Sequence, residues 1–110
     1  MDLVTIELLR IHCRADSTDD SLLEVYGSTA EESAQAYLNR RVFATPEDMA
    51  AAVLAGAAGV DPMVVTSTVR AAILLIAGSL YLNREDGLES KALPIGAQAL
   101  LQPYRVGLGV

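Results

Sequence analysis

The chain has 110 residues, of which 52% are hydrophobic and 20% charged, with a net charge of −6. Its eight basic residues are scattered against 14 acids, so it lacks the basic stripe through which phosphate neutralisation drives nucleic-acid binding. A single cysteine forms no internal disulfide and gives no sign of an oxidising compartment.

The first stretch, "MDLVTIELLR", lacks the basic-then-apolar order of a signal peptide. Residues 2–12 set Leu3, Ile6, Leu8 and Leu9 on one side and predict a short amphipathic helix. "RADSTDD" (14–20) breaks that pattern, and Ser17 with Asp20 three positions on predicts an N-cap for the next helix. Leu22, Leu23, Tyr26, Ala30, Ala34, Tyr37 and Leu38 keep a spacing of three and four through Gly27. They predict one helix over about 18–41, with a kink or a fresh start at Ser28 as the alternative, since glycine costs roughly 1 kcal/mol there.

"ATPED" (44–48) predicts a helix start: Thr45 as cap, Pro46 first inside and acids in the first turn. An Ala-rich segment, a short helix or a mobile excursion, runs from there to Leu54 and ends at Gly56 and Gly59. "VDP" (60–62) repeats the start signal and predicts a helix from Pro62 to about Asn83, with Gly87 ending the segment. Residues 71–82 are apolar on nearly every face, so this helix is surrounded, as the central element of the domain, of an oligomer or of both. A membrane span needs roughly 20 apolar residues, and this run is shorter and bracketed by Arg70 and Arg84. A short helix near 95–101, a stop at Pro103 and a glycine-bearing flexible tail over 102–110 close the chain. No period-two alternation requires a strand. The fold class is all-α: a small helical bundle in one domain, 1–110, around a long apolar helix. So apolar a chain of this size is expected to have part of its surface covered by partners.

Tyr-Leu-Asn-Arg occurs twice, at 37–40 and 81–84, each time where a helix is expected to end. Local physics accounts for each residue. Tyr lays its ring on the core, Leu is core, Asn accepts the left-handed conformation that ends helices, and Arg suits the final carbonyls. The flanks differ, so a duplicated domain is not supported. The sharper reading gives Arg40, Arg41 and Arg84 carboxylate partners on a neighbouring subunit, with Asp19, Asp20 and Glu24 as candidates.

Catalytic chemistry fares poorly. His12 and Cys13 are adjacent, and neighbouring helical side chains diverge by about 100°. Zinc wants three or four protein ligands, and a Cys–His nucleophile pair meets the same geometric obstacle. The pairs Asp19–Asp20, Glu31–Glu32 and Glu47–Asp48 sit in or near first helical turns, where acids need no catalytic explanation. Gly56 and Gly59 lack the Lys-Ser/Thr of a phosphate loop. No catalytic residue, cofactor or metal is expected.

The order of segments resembles the small head–tail connector proteins of tailed bacteriophages and prophages. "IELLRIHCRADSTDDSLLEVY" is similar to that family's opening helix and the Asp-Asp-x-Leu-Leu start of its second. "AYLNRRV" matches the second helix's ending. "VRAAILLIAGSLYLNRED" resembles the long apolar helix, and "LPIGAQALLQPYRV" the closing phrase. The middle, "FATPEDMAAAVLAGAAGVDPMVV", is richer in Ala and Gly than the family pattern.

The resemblance implies a structural adaptor in the virion, made in the host cytoplasm and without enzymatic activity. It implies a ring, dodecameric, under the portal protein, with a downstream neck or tail protein as a further partner. DNA would only pass through the channel, and no membrane is involved. Arg40, Arg41, Arg84, Glu85, Tyr104 and Arg105 are the candidate interface residues, and the tail is expected to fold on contact with a partner. A different head- or tail-completion protein, or an antitoxin-like helical regulator, is the alternative.

Overall fold

A computed structural model describes residues 1–83 and 93–107. Among them are five α-helices: α1 (Ile6–Cys13), α2 (Asp20–Leu38), α3 (Pro46–Leu54), α4 (Ser67–Leu82) and α5 (Ile95–Leu101). Two-residue strands β1 (Val42–Phe43) and β2 (Met63–Val64) pair in parallel on either side of α3. The core lies where α2 and α4 pack together, closed by α1 on one side and α5 on the other. Leu9, Leu23, Leu38, Val69, Ile73 and Leu101 fill it and are fully buried. The fold is the all-α bundle expected, and at roughly 1.5–3 kcal/mol per fully buried aliphatic side chain these six dominate its stability.

The opening helix is shorter than its apolar spacing predicts. Residues 1–4 are not helical; Thr5 caps α1 by accepting a bond from the Leu8 N–H at 3.2 Å. Leu3 and Val4 are buried all the same. Their backbone is received by Glu31 of α2, which is itself buried. Its carboxylate accepts from the N–H groups of Asp2 (3.0 Å), Leu3 (2.9 Å) and Val4 (3.0 Å). Arg70 of α4 donates to the Leu3 carbonyl at 2.9 Å. Glu31 therefore stands in the middle of α2 as an internal anchor and not, as its pairing with Glu32 suggested, in a first turn.

α2 runs unbroken through Gly27. A Cβ there would come within 2.8 Å of Leu9 Cδ1 and would also strike Met1. Glycine at this position lets α1 and the N-terminal segment lie close on α2. The expected Ser17–Asp20 cap does not form. Asp16 instead accepts from the Thr18 N–H at 2.9 Å, and a single 3₁₀ turn over Ser17–Asp19 leads into α2. Asp20 is engaged elsewhere, with Arg10. The helix stops at Leu38 because Asn39 adopts the left-handed conformation, φ 61°, which asparagine tolerates well.

α3 begins as the sequence predicts, with Thr45 accepting from the Asp48 N–H at 3.0 Å and Pro46 in the first turn. α4 does not begin at Pro62. Asp61 sits at φ 57°, and the chain then extends so that Met63 N–H bonds Arg41 O and Val65 N–H bonds Phe43 O. The run Val64-Val65-Thr66 is β-branched, which favours extension over helix. Thr66 then caps α4 by accepting from the Val69 N–H at 3.1 Å. Within one copy α4 leaves Ala71, Leu75 and Leu82 exposed. α5 matches its predicted span, and Gln102–Tyr104 forms a 3₁₀ turn. The expected stop at Gly87 lies outside the described residues.

Candidate assembly interface

The first Tyr-Leu-Asn-Arg does more than end a helix. Each of its four residues holds part of the closing phrase Gln-Pro-Tyr-Arg-Val. Tyr37 donates its hydroxyl to Gln102 Oε1 at 2.7 Å, and its carbonyl accepts from Arg105 Nε at 2.7 Å. Leu38 O accepts from the Val106 N–H at 3.0 Å. Asn39 Nδ2 donates to Val106 O at 3.4 Å, and Arg40 donates to Tyr104 O at 3.1 Å. Residues 102–107 are thus strapped to the end of α2, and only 108–110 of the expected flexible tail lie outside the described residues.

Arg40 is the centre of this corner. Besides Tyr104 O, it donates to Asp61 O (2.7 Å) and Pro62 O (3.4 Å) and lies 3.5 Å from the Asp61 carboxylate. Its side chain is 15% exposed, so one guanidinium joins α2, the turn before β2 and the strap. Because guanidinium has five donors in a rigid fork, it can serve several carbonyls at once. Arg40 and the Tyr104 backbone are therefore committed within the chain.

Arg41 and Arg105 are held differently. Arg41 donates to Ala57 O at 2.7 Å and lies over the Phe43 ring, 5.2 Å from its centroid. Arg105 covers the Tyr37 ring at 4.5 Å. Such stacking is worth about 0.5–1 kcal/mol at exposed sites; it orients each guanidinium while leaving the residue exposed. Among the described residues neither has a carboxylate partner. Beside Arg41 opens a cleft of about 790 Å³ whose apolar lining includes Ala36, Val60 and Val106.

The second Tyr-Leu-Asn-Arg is built otherwise. Tyr81 donates to Asp19 Oδ2 at 2.5 Å and meets the Tyr26 ring edge-on, centroids 6.5 Å apart. Asn83 is not left-handed, at φ −109°. Arg84 and Glu85 lie outside the described residues. Of the acids named as candidate partners, Asp19 is taken by Tyr81 and Asp20 forms a bidentate pair with Arg10, with Arg10 Nε at 2.8 Å from Oδ1. That bond holds the Asp20 carboxyl below its usual range. Glu24 is left exposed.

Large apolar side chains reach solvent at two further places. On and after α3, which buries none of its residues, Leu54 is 89% and Val60 87% exposed. At the end of α4 and the start of α5, Leu82 is 83% and Ile95 85% exposed. They flank or adjoin a second cleft of about 500 Å³ bordered by His12, Cys13, Leu75 and Leu82. The His12 ring occupies the notch left by Gly78, where a Cβ would lie 2.7 Å from Nε2. Burial pushes the Cys13 thiol up from its ordinary value, away from reactive thiolate character. Among the described residues no three His, Cys, Asp or Glu side chains converge on a metal-sized site, and no helix is long and apolar enough to cross a membrane.

The family described as phage gp6-like head-tail connector protein matches residues 4–105 of the chain. No curated protein and no solved structure matches it.

Proposed function

The chain belongs to the phage gp6-like head-tail connector family, whose role is structural, and we propose that copies of it form a ring beneath the portal to join the DNA-filled head to the tail. The observation that carries this reading is the family match over nearly the whole chain. Connectors work with other phage head and tail proteins. The finer assignments are our own: a dodecameric ring, the portal protein above it and a neck or tail protein below.

Three features of the chain support a surface built for assembly. Leu54, Val60, Leu82 and Ile95 are each more than four-fifths exposed, apolar surface that a partner would cover. Arg41 and Arg105 are oriented by ring stacking and lack carboxylate partners among the described residues. The net charge of −6 suits a conduit that DNA passes without adhering, because like charge repels the duplex.

A ring needs two different patches on each copy, since its contacts are heterologous. Arg41, Arg105, Arg84 and Glu85 would meet neighbours directly. Arg40 and Tyr104 would serve by fixing the shape of the corner. Electron microscopy of capsids bearing the portal tests this directly, with purified protein present or withheld. Added ring density under the portal supports the reading, and vertices that look identical in the two samples overturn it. For the individual residue, Arg84→Glu is expected to preserve helicity while blocking head–tail joining. A phage carrying it that assembles normally would remove Arg84 from the interface.

A further inference from the structure

α3 is a helix without a buried residue. It packs on β1 and β2. Its outer stripe, Glu47, Ala50, Ala51 and Leu54, recurs at helical spacing with every member exposed. The stripe begins acidic, where Glu47 and Asp48 have no cationic partner among the described residues. It ends in Leu54, 89% exposed. The chain beyond Leu54 is fixed in place. Gly56, at φ 72°, closes the helix with its N–H on Val53 O at 3.1 Å and the Ala57 N–H on Ala52 O at 2.8 Å. Arg41 pins the Ala57 carbonyl. Leu54 is therefore an apolar side chain projecting from a firm support.

The cleft of about 500 Å³ along the second half of α4 carries the matching pattern. Leu75 and Leu82 border it seven residues apart, about 10 Å along the axis, the same spacing as Glu47 and Leu54 on α3. Arg70 reaches Leu3 O, and the His12 ring fills the Gly78 notch. α1 thus runs beside α4 in the same direction, which sets Arg14 at the Leu82 end of the cleft. Arg14 is exposed and has no carboxylate partner among the described residues. Among those residues no acid lines this cleft.

We infer that α3 of one copy lies in the α4 cleft of the next, antiparallel to α4, with Leu54 against Leu75 and with Glu47 and Asp48 facing Arg14. In this register apolar meets apolar and acid meets base; the parallel setting would put Leu54 on Arg14. Within one copy Leu54 and Leu82 are both more than four-fifths exposed, so a chain does not fill its own cleft. Knob and cleft are different surfaces, and each copy offers one of each, so the contact is heterologous and passes from copy to copy. The inference rests on the ring reading for closure and deepens it by naming the surfaces through which neighbours meet.

Cysteine capture on the full chain tests the contact, both in concentrated solution and on portal-bearing capsids. In a Cys13→Ser background, Leu54→Cys combined with Leu75→Cys is expected to give a ladder of linked copies beyond two when treated with a short bismaleimide. Either cysteine alone should stop at two. Arg14→Glu and Glu47→Arg are each expected to slow capture about threefold or more. The two reversals on one chain restore it, since every reversed charge again faces its opposite. Leu54→Asp, at an exposed position, is expected to prevent ring density on capsids with the circular dichroism unchanged. It keeps the test decisive should Leu75→Cys disturb folding. Capture that stops at two copies, or that neither charge reversal slows, overturns the inference. So does a double reversal slower than both single changes, or Leu54→Asp protein that joins capsids like wild type. A wild-type ring whose paired cysteines stay unlinked defeats this inference and leaves the ring reading standing. A ladder in solution with unchanged vertices upholds the contact and defeats the ring reading.

Discussion

Replacing Glu31 with glutamine keeps the shape of the side chain and removes its charge, so it isolates what the carboxylate does for the N-terminal segment. In wild type Oε2 accepts from Leu3 and Val4 and Oε1 from Asp2. The best glutamine orientation keeps its oxygen on the first two and turns its NH₂ toward the Asp2 N–H. One bond becomes a donor–donor conflict and two lose their charged acceptor. With bonds to charged groups worth about 1.5–3 kcal/mol and neutral ones about 1, the loss comes to about 2–3 kcal/mol. Whole domains are stable by roughly 5–15 kcal/mol, so this is a large fraction.

The segment has an escape route that caps the cost. Leu3 and Val4 contribute roughly 1.5–3 kcal/mol each by burial, against about 1–2 kcal/mol of backbone entropy for each residue ordered. Glu31→Ala, which removes all three bonds, is therefore expected to release residues 1–4 before it unfolds the bundle. Urea denaturation should show Glu31→Gln losing about 2 kcal/mol with an unchanged slope. Hydrogen exchange should show the Leu3 and Val4 amides losing protection first. A Glu31→Gln protein within about 0.5 kcal/mol of wild type, with those amides still protected, would refute the anchoring role.

Arg40→Ala frees three backbone carbonyls on two segments at once; the expected loss is about 2 kcal/mol, with the amide of Val106 exchanging faster in the variant. Gly27→Ala removes a helix penalty of about 1 kcal/mol but drives a methyl group to 2.8 Å from fully buried Leu9. Overpacking of that kind costs about 1–3 kcal/mol, so urea titration should find net destabilisation. Acid should weaken the junction between α1 and α2. The Asp20 carboxyl is held low by Arg10, and that of Asp16 by the Thr18 hydroxyl and N–H. Both depressed carboxylates contribute stability that is complete above the ordinary value of 3.8 and lost as pH falls through their lower folded values. Denaturation at a series of acid pH values should show Asp20→Asn insensitive to part of that loss.

Helix identities were legible because their signals are local. Thr45-Pro46 followed by acids, and the unbroken apolar spacing of α2, need no tertiary knowledge. The start of α4 was missed because Asp61-Pro62 imitates a cap, whereas the extended β-branched run after it is satisfied only by pairing with residues 21 positions earlier, Val42 with Met63 and Phe43 with Val64. That pairing is non-local, and two residues of strand leave no periodicity to read.

Of the candidate interface residues the sequence offered names without an arrangement. That Arg40 and the closing Tyr104-Arg105 meet at the end of α2 was not readable, because Arg40 and Arg105 spend their donors on backbone carbonyls, and any residue has one of those. Asp19 and Asp20 are paired inside the chain by Tyr81 and Arg10, contacts that span 62 and 10 positions. Glu31 left a readable trace: it shares the helical phase of Gly27, Ala34 and Leu38, all buried. A lone acid on a buried stripe requires donors, and the amides of residues 2–4 supply them.

The central claim is that this chain completes a phage head by seating a ring of copies under its portal. Cryo-electron microscopy of DNA-filled, portal-bearing capsids, reconstructed without imposed symmetry at the vertex, tests it most directly. The account predicts a closed ring of helical subunits that appears only when the protein is added. Unchanged vertices, or a single copy bound off the axis, would contradict it.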